Sequence, residues 1–275
     1  MTILTSAELK NRAANVRRTV LEMCVAAGAG HIAPAYSCTE LLVALYHAGI
    51  LRVDPKDPHW PDRDRFVLSK GQACAALYAI LADLGFFPVE ELLTYTARGS
   101  RLGGHSESNV PGVEAFTGSL GNGFALAVGM ALAAKLDGRK HKVVALLGDG
   151  ECQEGAIWEA AMFSSQHKLG RLIAVVDRNG QQAIDFTEEA VGLEPFAEKW
   201  RAFGWEVVEI ADGHDFNLLV PALTTLQGRR DSRPLVFIAR TVKGKGLSFM
   251  ERKPIWHYRV PTGPLLDQAR EELSR

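Results

Sequence analysis

Cysteine is scarce in this 275-residue chain, and none of the four, at positions 24, 38, 74 and 152, forms a CxxC pair or stands near histidines at zinc-like spacing. A disulfide framework and a structural zinc site are therefore excluded, and free thiols filling a core are expected. Cys152 draws notice because it follows a glycine turn. There is no basic excess: the formal net charge is −1. Neither nucleic acid nor an anionic membrane is indicated as a partner, and a phosphate ligand would have to be held by local groups. No apolar run reaches membrane-spanning length, and the longest, around 124–134, is broken by Gly129. The N-terminus lacks a basic-then-apolar signal pattern. With reduced thiols, these absences predict a cytoplasmic protein. No GxGxxG follows a first strand and no Walker loop occurs, so a generic nucleotide-binding domain lacks support. Repeats, low-complexity tracts and linkers of boundary quality are also missing.

What is present is an ordinary globular composition, 47% hydrophobic and 23% charged. Two continuous apolar runs, 142–147 (KVVALL) and 171–176 (RLIAVV), read as buried parallel strands. Residues 154–168 between them read as a helix, so the three form a βαβ unit with both strand ends on one side of the sheet. Further strands are predicted at 65–69, 205–210 and 234–240, and further helices at 39–48, 72–84, 119–136 and 216–228. A first helix over 6–27 has Ser6 as its expected N-cap and Gly28 as its stop. Residues 99–111 read as a loop and the charged tail 262–275 as helical. The expectation is one α/β domain over 1–275, a doubly wound, mostly parallel sheet with helices on both faces. N-terminal helices would occupy 6–48. The small side chains of 119–136 would let a second helix approach closely.

The first strand ends in Gly148-Asp149-Gly150 and the second in Asp177-Arg178-Asn179-Gly180. Open α/β sheets bind ligands at that edge. Asp149 and Asn179 offer hard oxygen ligands, which suit Mg²⁺ or Ca²⁺ completed by water and phosphate oxygens. The Gly150 backbone and the following helix start can take a phosphate closely. A metal-bound diphosphate is the inference; the alternative is a pair of turns ending two strands.

The GDG-to-Asn pattern is the fingerprint of thiamine diphosphate enzymes, and the segment GDGECQEGAIWEAAMFSSQHKLGRLIAVVDRNG closely resembles the cofactor segment of transketolases. Blocks at 27–46, 63–81, 102–131 and 241–257 resemble the same family in the same order. The resemblance implies a transferase that moves a two-carbon ketol unit from a ketose, often a sugar phosphate, to an aldose, using thiamine diphosphate and Mg²⁺. It implies that His31, His105 and His257 line the channel over the reacting atoms, where an imidazole can take and return protons near neutrality. It places the Gln181 carbonyl on the metal, Gly118, Ser119 and Leu120 at the aminopyrimidine end, Gly148 and Gly150 at the diphosphate, and Glu154 and Glu159 at a subunit interface. For the two glutamates, a plain alternative is that acidic residues favour the first turns of a helix.

Departures from the family matter. Ser69-Lys70-Gly71-Gln72 stands where Ser-x-Gly-His is usual, and Gln72 can donate a hydrogen bond to the cofactor but cannot titrate. Tyr258 and Arg259 follow His257 where a glycine is usual, and 181–185 is one residue longer than its counterpart. A donor or acceptor other than the common pentose phosphates is expected. The glutamate that activates the cofactor belongs in this family to a following pyrimidine-binding domain. The chain therefore resembles the N-terminal subunit of a split transketolase, expected to be inactive alone and to assemble, two of each, with a C-terminal subunit. Rival readings are a deoxyxylulose phosphate synthase-like or modified-sugar carboligase, and a non-catalytic regulatory subunit.

Overall fold

The structure is a computed structural model and describes residues 4–229 and 231–274. Five strands form one sheet: β1 (Arg65–Leu68), β2 (Val143–Gly148), β3 (Leu172–Arg178), β4 (Glu206–Ile210) and β5 (Leu235–Arg240). Their spatial order is β1-β2-β3-β5-β4, and every pairing is parallel. Parallel neighbours need crossovers, which the intervening helices supply.

Alternation along each strand explains two separate cores. Val144, Leu146, Ile173, Val175, Leu235 and Phe237 pack with helices α1 (Ser6–Ala27), α2 (Ile32–Ser37), α3 (Thr39–His47), α4 (Cys74–Asp83) and, after β4, Phe216–Thr224. Val143, Ala145, Leu147, Leu172, Ala174, Val176, Val236 and Ile238 pack on the opposite face with α5 (Asn122–Leu136), α6 (Gly155–Gln166) and the helix Phe196–Ala202. Because both faces are covered, the central strands β2, β3 and β5 read as long apolar runs. The chain leaving β1 turns into α4 on the first face, whereas the chain leaving the adjacent β2 turns into α6 on the other. That divergence opens a crevice beyond the strand ends.

Several predicted boundaries shift for local reasons. Thr5, not Ser6, caps α1: its hydroxyl accepts from the Glu8 N–H (3.3 Å), and the Glu8 carboxylate accepts from the Thr5 N–H (2.7 Å), a complete capping box. Gly28 does end the helix, in the left-handed conformation at φ 66°. Helix 154–168 begins at Gly155, because Glu154 is extended, and a separate 3₁₀ turn, Gly150–Gln153, precedes it. Likewise 72–84 divides into a 3₁₀ turn, Gly71–Ala73, and α4. Helix 119–136 starts only at Asn122, and 216–228 ends at Thr224. The tail helix spans Pro264–Glu272. All four cysteines are free and buried, and burial pushes the Cys152 thiol well above its ordinary range, so it is inert. No helix among the described residues is long and apolar enough to cross a membrane.

Candidate functional site

A cleft of about 280 Å³ opens at the C-terminal ends of β1, β2, β3 and β5. It gathers His31, Gln72, His105, Gly118, Leu120, Gly148, Asp149, Gly150, Glu154, Asn179, Gln181 and His257 from loops far apart in sequence. Two expected residues do not line it. Ser119 is exposed beside it, and Glu159 lies exposed farther along α6.

Two glycines bring the loops this close. A Cβ on Gly71 would lie 2.1 Å from the Thr117 carbonyl oxygen, so only glycine lets the loop after β1 seat against Thr117 and Gly118. A Cβ on Gly150 would lie 3.0 Å from Gln182 Cβ and 3.7 Å from the Gln181 carbonyl oxygen, which brings the loops after β2 and β3 together.

Asp149 is fully buried. Its Oδ1 accepts from the Gly150 N–H (2.8 Å), and its Oδ2 accepts from the Gly180 N–H (2.5 Å) and from Arg178 (3.1 Å). Burial, and then the charge of Asp177, raise its proton affinity. A cation in the cleft would offset that cost. The Asn179 amide nitrogen donates to Asp177 Oδ2 (3.2 Å), and its Oδ1 accepts from the Gln181 N–H (3.1 Å), which fixes which way the amide points. Neither polar atom of the buried Gln181 side chain has a partner. No group of three His, Cys, Asp or Glu side chains able to hold a metal occurs among the described residues. The donor set here is different in kind: a carboxylate, an amide oxygen and a nearby carbonyl, which suits a hard ion.

Beneath the cleft lies a buried pair that sequence reasoning missed. Lys70 Nζ donates to Asp177 and also to the Pro34 carbonyl (3.0 Å). Asp177 further accepts from Ser37 (2.5 Å) and Thr241. Burial opposes both charges, but mutual attraction raises the lysine and lowers the aspartate, so both stay ionised. Glu151, also missed, is buried beside the GDG turn. It accepts from Ser69 Oγ (2.5 Å), Gly121 N–H (3.0 Å) and Gly148 N–H (3.1 Å), tying three loops together. The third omission is Lys243, whose ammonium donates to the Gln182 carbonyl (2.7 Å) and to His257 Nδ1 (2.9 Å). Burial, and then the charge of Lys70, pull Lys243 down to about 8. The signals were the lysines inside Ser-Lys-Gly-Gln and Lys-Gly-Lys-Gly and the glutamate after GDG, all of them beside loops already singled out.

The three expected histidines meet. The His31 ring lies 5.4 Å from His105 and 5.3 Å from His257, centroid to centroid. Burial, then His105 and Lys243, lower His31 to about 4; burial, then Lys243 and His31, lower His257 to about 3. Both are neutral near pH 7. The Tyr258 ring lies against His31 at a tilt of 52°, 4.5 Å between centroids, while remaining exposed.

Oxygen donors, two lysines and neutral imidazoles at the C-terminal edge of a parallel sheet define an α/β domain whose cleft suits an anionic ligand. The family model described as "Transketolase, thiamine diphosphate binding domain" matches residues 9–257. The chain belongs to the transketolase family, as its thiamine diphosphate-binding domain. It is 42% identical over 269 residues to the 6-deoxy-6-sulfo-D-fructose transketolase subunit SqwG of Clostridium sp. (strain MSTE9), covering 98% of this chain and 97% of that one. It is 42% identical over 258 residues to an apulose-4-phosphate transketolase subunit of Phocaeicola vulgatus, covering 94% and 91%. Among solved structures, the transketolase of Campylobacter jejuni superposes with a TM-score of 0.91 at 31% identity, covering 98% of this chain. This chain spans only 43% of that one.

Proposed function

We propose that this chain is the diphosphate-binding subunit of a split, thiamine diphosphate- and Mg²⁺-dependent transketolase. The observation that carries the reading is the convergence of Asp149, Asn179, Lys243 and three imidazoles on one cleft at adjacent strand ends. Asp149, Asn179 and the Gln181 carbonyl would hold the ion. Lys243 would face the diphosphate, with Lys70 adding positive charge from below. Thiamine diphosphate, when bound, supplies a nucleophilic carbon and an electron sink for carbon–carbon bond cleavage. The chain's own part is acid–base work and exclusion of water. His257 accepts from Lys243 through Nδ1, which leaves its Nε2 carrying the proton and able to donate to a developing alkoxide. His31, neutral and lining the cleft beside His105 and His257, completes the group of imidazoles over the site.

A second polypeptide carrying the pyrimidine-binding domain and its glutamate completes the site in this reading. Support comes from two relatives named as subunits, of which this chain covers 97% and 91%, and from an uncovered apolar face on α5 and α6 near the exposed Glu154 and Glu159. Gln72, Tyr258 and Arg259 support a donor or acceptor other than the common pentose phosphates. Two relatives are named for such sugars.

The test is to purify the chain with and without its co-purifying C-terminal partner and to assay ketol transfer over a panel of ketoses. Turnover is expected only from the pair. Turnover by the chain alone would refute the split-site reading, and ordinary rates with xylulose 5-phosphate and ribose 5-phosphate would refute the altered choice of sugar. Asp149→Ala should weaken Mg²⁺-dependent cofactor binding by at least about 100-fold, because even outer partners of a metal site are worth about 10–100-fold. Calorimetry reads this directly.

A further inference from the structure

The loop after β5 carries Lys243, and one buried network grips that loop on both sides of it. His214 lies in the loop after β4. Its Nε2 accepts from the Val242 N–H (2.8 Å), and its Nδ1 lies 2.8 Å from Glu40 Oε2. An amide N–H can only donate, so Nε2 carries no proton, and Nδ1–H must point at the carboxylate. Glu40 is held in turn by both terminal nitrogens of Arg17 (2.6 and 2.8 Å), and Arg17 Nε donates to the Lys245 carbonyl (2.9 Å). Val242 and Lys245 are thus fixed by the same three side chains, drawn from α1, α3 and the loop after β4. Burial pushes Glu40 up, but Arg17 and His214 bring it down to about 2, so the carboxylate stays charged and the network stays intact near neutral pH.

The grip matters because Lys243 occupies a costly place. It is buried, and its charge faces that of Lys70. Its partners are the Gln182 carbonyl and His257, and a loosened loop would let the long flexible side chain swing to water.

We propose that His214 is the positioning residue for Lys243, holding its ammonium in the cleft through the Val242 amide; the inference rests on reading that cleft as a diphosphate site. His214 does not touch the ligand. It sets where the ligand's cation stands.

The experiment titrates thiamine diphosphate, with Mg²⁺ in excess, into the chain assembled with its C-terminal partner and follows the tryptophan fluorescence of the complex. His214→Asn keeps a donor for Glu40 but cannot reach Val242, whereas His214→Gln keeps an acceptor for Val242. The Asn variant should bind at least about tenfold more weakly and the Gln variant within about threefold of wild type, the span of one coupled contact. On a Lys243→Met background, His214→Asn should change affinity by less than about twofold, because the residue it acts through is gone. Melting of each variant without cofactor checks folding. Should the Asn variant not fold, Val242→Pro, which deletes the amide donor and leaves Arg17 and Glu40 paired, takes its place in the same cycle. Equal losses in the Asn and Gln variants, or additive losses with Lys243→Met, would overturn the proposal while the diphosphate reading stands. No binding by the wild-type complex would overturn that reading, and the inference with it.

Discussion

The two helix layers on the sheet are unlike. On one face, α4 is buried along nearly its whole length from Cys74 to Ala82, and α3 from Thr39 to Tyr46, beneath the long α1. On the other face, α5 and α6 bury one side and leave the other bare. Leu126 is 46% exposed and Met162 57%, with Phe163 beside them and nothing within 4 Å of a Cβ placed on Gly129. A cluster of exposed apolar groups on one face is a signature of a surface meant to be covered. The first layer is complete in itself. The second, which carries the GDG turn into α6, leaves an apolar side open. The candidate cleft sits at the boundary between the two layers.

That contrast is broken or sharpened by paired substitutions. Leu42→Ala, fully buried in the first layer, should cost about 2–5 kcal/mol of chain stability, read by urea unfolding. Leu126→Ala in the second should stay within about 0.5 kcal/mol for the isolated chain. Similar losses at the two positions would mean that the second layer is as closed as the first. Next in size, Met162→Asp should leave the melting of the chain alone unchanged but weaken assembly with the C-terminal partner at least about tenfold, as for a buried interface anchor. Undiminished assembly by analytical ultracentrifugation would remove this face as the docking surface.

The same contrast explains what could be read from the sequence. Strands buried on both faces leave continuous apolar runs, so β2, β3 and β5 were legible, and with them the shared edge that holds Asp149 and Asn179. Helix starts were less so. The Thr5-x-x-Glu8 box was visible, but Ser6 competed with it, and the extended Glu154 gives no signal in periodicity. Lys70, Glu151, Asp177 and Lys243 stayed hidden because each acts across loops distant in the chain. Lys70 and Asp177 are 107 residues apart, a pairing that no local pattern reports. The three histidines became legible through family resemblance rather than spacing, since a loop histidine alone says little.

The smallest expected effect concerns the buried imidazoles of the cleft. His31 and His257 are lowered to about 4 and about 3 from an ordinary value of 6.5, chiefly by burial. Between those limits the unfolded chain binds protons that the folded chain does not, so stability is full above pH 6.5 and declines as pH falls toward 4. Glu40, lowered to about 2 from 4.5, adds its own loss only below about 4.5, whereas Asp149 and Glu151, raised by burial, act in the opposite sense. His47 and His141 are lowered as well and contribute to the decline, which is why the difference between variants is the informative quantity. His31→Asn and His257→Asn should each flatten the decline of the urea midpoint below pH 6.5. An unchanged slope in both would mean that water reaches these rings in the free chain, and that only the second polypeptide closes the cleft enough to keep them neutral.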